Sequence, residues 1–261
     1  PEGGPLATKR LAYIGNEGSY LMYASRWFPF HDYAADRATS DITLVVPSGV
    51  QVAGTSDDPV VAQGSPTQGA MRYRFVHRQP VLIGNFAAGQ YINRTLRFGN
   101  YEIQFYAKPG SESRINGYAE LMGHVLEFYS KQYGAPLFGN RLVVAQVDDD
   151  SLDTYSGSGI IFLASKLFDS SRPMPEERLA REVAYQWWGQ TVGLSSFDDA
   201  WISQGLAEWS AFAFRESNLT GGALESAQRE QQERALTFEQ TASIARAPSA
   251  LDDQSAAYQS I

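Results

Sequence analysis

The sequence contains no cysteine, which excludes a disulfide framework and a metal site built on thiolates. Histidine is also scarce and occurs only as His31, His77 and His124. No stretch approaches the roughly 18 consecutive apolar residues that a membrane-spanning helix needs. The longest apolar runs are short segments such as residues 159–164. We therefore expect no membrane span within this chain.

Charged residues are few, and their balance is acidic, because 21 basic and 29 acidic residues give a formal charge of −8. Nucleic-acid binding needs clustered Lys and Arg, so we expect no nucleic-acid partner. Hydrophobic residues make up 43% of the 261 residues, which allows a sizeable core and argues against disorder over the whole length. Peptides, neutral ligands and protein surfaces stay open as partners.

The chain begins at Pro1, without a methionine or a signal-like segment. This beginning indicates a soluble piece of a longer protein, whose targeting signals can lie outside it. The sequence therefore leaves the compartment undetermined.

The first hundred or so residues have the pattern of β-strands separated by turns. Ser40 to Val46 is rich in β-branched residues and ends at Pro47-Ser48-Gly49, while Met71 to His77 and Tyr101 to Tyr106 alternate polar and apolar residues. No helical period lies between them. We predict an antiparallel β domain over residues 1–108.

The pattern changes after Pro109. Residues 112–133 carry apolar side chains at helical spacing, and Gly134-Ala135-Pro136 ends that helix. Further on, the pattern predicts two strands and three helices. The strands are residues 141–147 and 159–163, and the helices are residues 175–190, 201–217 and, more polar in composition, 224–247.

Two segments of this second half carry a recognisable motif. They read R-E-V-A-Y-Q-W-W-G over residues 181–189 and W-I-S-Q-G-L-A-E-W over residues 201–209. They closely resemble the signature of the membrane alanyl aminopeptidase family of gluzincin zinc metallopeptidases, whose active members read H-E-V-A-H-Q-W-W-G and then W-L-N-E-G-F-A. The resemblance implies two His one helical turn apart and a later Glu that together bind zinc, with the intervening Glu as general base.

The framework of the motif is kept here while its metal ligands are replaced. Arg181, Tyr185 and Gln204 occupy the positions of His, His and Glu, with 18 residues between the last two. Glu182 keeps the general-base position. An Arg has no free lone pair for zinc, Tyr ligates only as phenolate, and Gln offers a weak neutral oxygen. We therefore predict no zinc and no other cofactor, and an inactive Glu182.

An ordinary pair on an amphipathic helix would also explain Arg181 and Tyr185 taken alone. The surrounding framework favours a degenerate metal site instead. As a hypothesis, the Arg181 guanidinium fills the volume left by zinc and neutralises Glu182 or Glu208, because an unpaired buried carboxylate would be costly.

The resemblance also indicates a substrate groove. The family carries a G-x-M-E-N element on an edge strand, whose Glu binds the free amine of the substrate. The matching residues here are Gly157, Ser158 and Gly159, without a Glu. This strand can still pair with an extended peptide through its backbone. A catalytic Tyr of the family is expected beyond Tyr258, which we place before that element.

The resemblance implies an α+β fold, with the antiparallel β domain followed by a thermolysin-like mixed α/β catalytic lobe over residues 109–261, truncated at its C-terminal side. We interpret the chain as an inactive, peptide- or protein-binding or scaffolding domain. Two alternatives stay open. One is an active metallo-aminopeptidase with atypical ligands or with parts supplied by the full-length protein, and the other is a spacer that binds nothing.

Overall fold

The computed structural model describes residues 9–30, 36–149, 151–169, 171, 173–195 and 199–239. These residues form strands and helices in an α+β arrangement. The strands are β1 (Ala12–Ile14), β2 (Ser19–Leu21), β3 (Ala38–Pro47), β4 (Gln51–Ala53), β5 (Gln63–Gly64), β6 (Ala70–Val81), β7 (Phe86–Gly89), β8 (Ile92–Phe98), β9 (Tyr101–Ala107), β10 (Arg141–Val147), β11 (Thr154–Gly157) and β12 (Ile160–Ala164). The helices are α1 (Glu112–Tyr133), α2 (Glu176–Ala184), α3 (Ala200–Ser217) and α4 (Gly222–Glu239). Within these ranges no helix is both long and apolar enough to span a bilayer.

The largest sheet has five strands in the order β11-β12-β10-β9-β8. Strands β9, β10 and β12 run parallel, and β8 and β11 pair antiparallel at the two edges. Helix α1 connects β9 to β10, as a parallel connection requires a crossover. Strands that are buried on both faces read as continuous apolar runs, which is why Ile160–Ala164 consists only of apolar residues.

Helices cover one face of this sheet, and the four-stranded sheet of the N-terminal half, β1-β2-β7-β4, packs against the other. Phe105, Val144 and Leu163 face a core shared with α1 and α2. Their neighbours Tyr106, Val143 and Phe162 face a second core with Tyr20 and Ala87, and others from the first ninety residues. The sheet therefore lies between the helices and the β-rich half, and it places β11 beside α2.

The sequence predicted most of these elements. The helix over 112–133 and the strand over 141–147 are confirmed, and the predicted strands in the first half lie within β3, β6 and β9. The division at residue 108 stays a prediction. The sheet adds that β8 and β9, which precede this position, pair in one sheet with β10, which follows it.

The predicted helix over 175–190 was too long, because α2 ends at Ala184. Beyond it the backbone N–H of Gln186 and of Trp187 donate to the carbonyls of Val183 and Ala184, which tightens the chain into short turns. Gly189 then adopts a φ of 119°, which a helix cannot continue through. The helix predicted over 224–247 corresponds to α4 as far as Glu239, and its last residues, like Tyr258, lie outside the described residues.

His77 on β6 links the β-rich half to the turn between β11 and β12. The Thr55 hydroxyl donates to the Ser158 carbonyl at 3.1 Å and lies 3.1 Å from His77 Nε2, while Ser40 Oγ lies 2.9 Å from Nδ1. Burial lowers the pKa of His77, and the charge of Asp57 opposes that effect only in part. The folded protein therefore disfavours protonated His77.

This burial predicts a loss of stability in mild acid. Between the lowered folded pKa and the unfolded value of about 6.5 the unfolded chain binds more protons, so the free energy of unfolding falls as the pH decreases. We expect the urea midpoint to drop between about pH 7.5 and about pH 5.5, and to drop less in H77Q. The control is H124Q, since His124 is exposed on α1. Equal slopes in wild type and H77Q would contradict this prediction.

Candidate active site

Helices α2 and α3 bring the two motif segments together. Glu176 and Glu177 occupy the first turn of α2, where negative charge is favourable, and Leu179 and Val183 are fully buried against the core. This burial turns the opposite, polar side of α2 towards α3. The residues at the three expected ligand positions therefore meet at the contact between the two helices.

Arg181 makes an ion pair across this contact. Its Nη1 donates to Glu208 Oε2 at 3.1 Å, and its Nη2 lies 3.9 Å from Glu182 Oε1. Burial lowers the pKa of Arg181, but the charges of Glu182 and Glu208 and the nearby Tyr185 outweigh it, so the net pKa lies above its ordinary value. The side chain is 16% exposed and does not point to solvent, so the pairing expected from the sequence is present.

Tyr185 makes the second contact between the helices. Its hydroxyl donates a short hydrogen bond to Gln204 Oε1. Burial, and then the charge of Glu182, raise the pKa of the Tyr185 hydroxyl far above its ordinary value. A phenol with a raised pKa stays neutral at ordinary pH, and a neutral phenol is a hydrogen-bond donor rather than an anionic metal ligand.

Glu182 is buried and is held from the neighbouring edge strand. Thr154 Oγ1 donates to Oε1 at 2.8 Å and Ser156 Oγ donates to Oε2 at 2.9 Å. Both donors lie on the same face of β11, two residues apart, so both hydroxyls point at α2. The carboxylate at the expected general-base position is thus oriented by two hydroxyl groups and by the nearby Arg181.

Gly157, Ser158 and Gly159 form the end of β11 and the turn into β12, as their predicted position beside an edge strand requires. The fully buried Gln186 binds this turn with both ends of its amide. Its Oε1 accepts from Gly159 N at 2.9 Å and its Nε2 donates to Gly157 O at 3.0 Å. A side chain at 157 would collide with Asn85, because an added Cβ would lie 2.4 Å from Oδ1.

The sequence of this chain is similar to those of known aminopeptidases. Aminopeptidase N of Canis lupus familiaris is 26% identical over 201 residues, which are 71% of this chain and 20% of that protein. Aminopeptidase N of Acetobacter pasteurianus is 23% identical over 214 residues, 77% of this chain and 59% of that protein. No family model matches the chain.

Solved structures show the same fold. The M1 zinc metallopeptidase of Deinococcus radiodurans superposes with a TM-score of 0.70 at 20% identity, over 99% of this chain and 60% of that one. Aminopeptidase A of Legionella pneumophila, crystallised with aspartic acid, gives 0.67 at 17% identity, over 80% of this chain and 27% of that one. The chain is thus similar in sequence to aminopeptidases N and in fold to M1 zinc metallopeptidases, as the resemblance to the alanyl aminopeptidase family of gluzincins predicts.

The M1 relationship makes zinc the metal to test against the residues present. Their donor set does not fit it, because zinc takes imidazole, thiolate or carboxylate donors. Arg181 brings a positive charge, and the Tyr185 hydroxyl and Gln204 amide satisfy each other. Over the described ranges no group of at least three His, Cys, Asp or Glu side chains could hold a metal ion.

The sequence did not single out Thr154, Ser156 or Gln190 as site residues. Gln190 Nε2 donates to the Ser156 carbonyl at 3.2 Å, and the two hydroxyls hold Glu182. The alternation of Thr154 and Ser156 along a strand was the available signal. This alternation does not predict a contact with Glu182 unless the edge of the sheet that faces α2 is known.

Proposed function

We propose that this chain is a catalytically inactive relative of the M1 aminopeptidases that holds a peptide or protein partner along the outer edge of β11, where the resemblance places the substrate groove. The single observation that carries the proposal is the state of the three ligand positions. Arg181 is paired with Glu208, and Tyr185 donates to Gln204, so these side chains bind each other. Catalysis through zinc would require residues that bind the metal, such as His or Glu, at all three positions.

Binding is supported by the outer edge of β11 at Thr154, two residues before Ser156, whose carbonyl already accepts from Gln190. Ala164 N donates to the Asp153 carbonyl at 2.8 Å, which makes Asp153 and Ala164 a hydrogen-bonded pair. In an antiparallel ladder the next residue, Thr154, therefore directs its own N–H and C=O to the outer edge. The strand is the edge of its sheet, so an extended peptide can add there as a further strand.

The experiment compares T154P with T154V. Both variants lose the Thr154 hydroxyl that donates a hydrogen bond to Glu182. Only proline also removes the outward backbone N–H, and proline is tolerated on an edge strand. Peptides that bind wild type are first selected from a random decapeptide library and labelled with a fluorophore. We expect T154V to bind them with an affinity similar to that of wild type, and T154P to bind them about tenfold or more weakly. Mass spectrometry of the same mixtures with added zinc is expected to find the peptides intact.

The other outcomes decide between the alternatives. Shortened peptides in the wild-type mixture would support an active metallo-aminopeptidase with atypical ligands. Equal binding by T154P and T154V would place the peptide elsewhere on the chain. A library from which wild type retains nothing would support a scaffolding role without a ligand in the groove.

A further inference from the structure

Two carboxylates are buried next to each other at the contact between α2 and α3. Glu182 is 4% exposed and Glu208 is 7% exposed, and both lie within 4 Å of the Arg181 guanidinium. Two buried like charges repel each other and lose their hydration, so such a pair needs a cation or a proton. In this chain the cation is part of the polypeptide.

We infer that Arg181 is a tethered replacement for a bound cation, and that Arg181, Tyr185, Gln204 and Glu208 form a metal-free clasp that holds α2 against α3. The inference goes beyond the proposed binding role, because it concerns what keeps the lobe folded. It is independent of whether a peptide occupies the groove.

The spacing of the clasp matches on both helices. Arg181 and Tyr185 are four residues apart, and so are Gln204 and Glu208, so each pair lies on one helix face. Arg181 contacts Glu208 and Tyr185 contacts Gln204, which is the order expected where two helix segments run past each other in opposite directions. Side-chain contacts, rather than metal bonds, therefore join the last turn of α2 and the adjoining Tyr185 to two neighbouring turns of α3.

The two carboxylates depend on Arg181 to different degrees. Glu182 also accepts from Thr154 and Ser156. For Glu208, Arg181 supplies the one ion pair within 4 Å found among the described residues. Removing the guanidinium should therefore leave Glu208 as the side chain with the largest uncompensated cost.

The test is a double-mutant cycle on urea unfolding with wild type, R181M, E208Q and R181M/E208Q. Methionine keeps much of the arginine volume without its charge. We expect R181M to raise the unfolding equilibrium constant by roughly 100-fold, because it leaves a buried charge unpaired. E208Q added to R181M is expected to recover at least about tenfold of that loss.

Every outcome of the cycle bears on the clasp. If R181M yields no folded protein while R181M/E208Q does, the double variant is the more stable of the two, as the clasp requires. Independent effects of the two substitutions would overturn it, since two residues that stabilise each other as an ion pair give non-additive effects. It would equally be overturned if neither R181M nor the double variant folds, because removing the unpaired carboxylate would then have brought no relief.

Discussion

Wild-type chain incubated with excess zinc and desalted is expected to retain essentially no metal, whereas R181H/Y185H/Q204E is expected to retain about one zinc per chain. Two of the positions already meet, because the Tyr185 hydroxyl donates to the Gln204 amide across the helix contact, and Arg181 lies one helical turn before Tyr185. Replacing them supplies two imidazoles and a carboxylate, with Glu182 unchanged beside them. Elemental mass spectrometry of the desalted proteins measures the difference.

The matched control is R181H/Y185H, which restores two ligands and leaves Gln204 in place. Two imidazoles one turn apart bind zinc weakly, so this variant should lose most of its metal on desalting. About one zinc in the wild-type protein would contradict the prediction and would favour the active-enzyme alternative. No zinc in the triple variant would mean that α2 and α3 do not present these positions to a common point.

Replacing Gln186 by leucine is expected to be the most damaging of the substitutions that leave the clasp intact. The variant removes both amide hydrogen bonds to the turn between β11 and β12, and leaves the N–H of Gly159 and the C=O of Gly157 without their buried partner. Each unsatisfied buried group costs about 1–3 kcal/mol, so we expect Q186L to lose roughly 3 kcal/mol or more of unfolding free energy in urea.

The control for this prediction is Q190L. Gln190 makes one hydrogen bond to the same strand, at 3.2 Å from the Ser156 carbonyl, and its buried Oε1 has no partner among the described residues. Leucine at 190 removes that unsatisfied atom along with the bond, so the two effects offset and we expect a loss of about 1 kcal/mol or less. Equal losses in Q186L and Q190L would contradict the role given to the Gln186 amide.

Much of the secondary structure could be predicted from local pattern. The helix over 112–133 has an apolar stripe and a glycine stop, and the strand over 141–147 is an apolar run bounded by turns. The end of α2 could not be predicted this way, because residues 185–188 contain neither the Gly nor the Pro that would mark a helix end. Their backbone instead closes short turns around the buried Trp187, whose indole donates to the Gly134 carbonyl at 2.9 Å.

Part of the candidate site could likewise be predicted from the sequence. The motif spacing was enough to predict that Arg181, Tyr185 and Gln204 belong together, because four residues span one helical turn and the second segment follows at the family's distance. It also allowed the hypothesis that Arg181 pairs with Glu182 or Glu208. Both contacts exist, with Glu208 the nearer partner.

The sequence by itself determined the resemblance of this chain to the aminopeptidases and the residue types at the expected ligand positions, since both depend on residues at fixed spacings along single helices. The tertiary structure decided what those side chains do. That Thr154 and Ser156 hold Glu182 and that Gln186 binds the turn at Gly157 depend on which edge of the sheet faces α2, and that Arg181 lies nearer to Glu208 than to Glu182 depends on how α2 packs against α3. Such contacts join residues far apart in the chain, so local patterns carry no record of them.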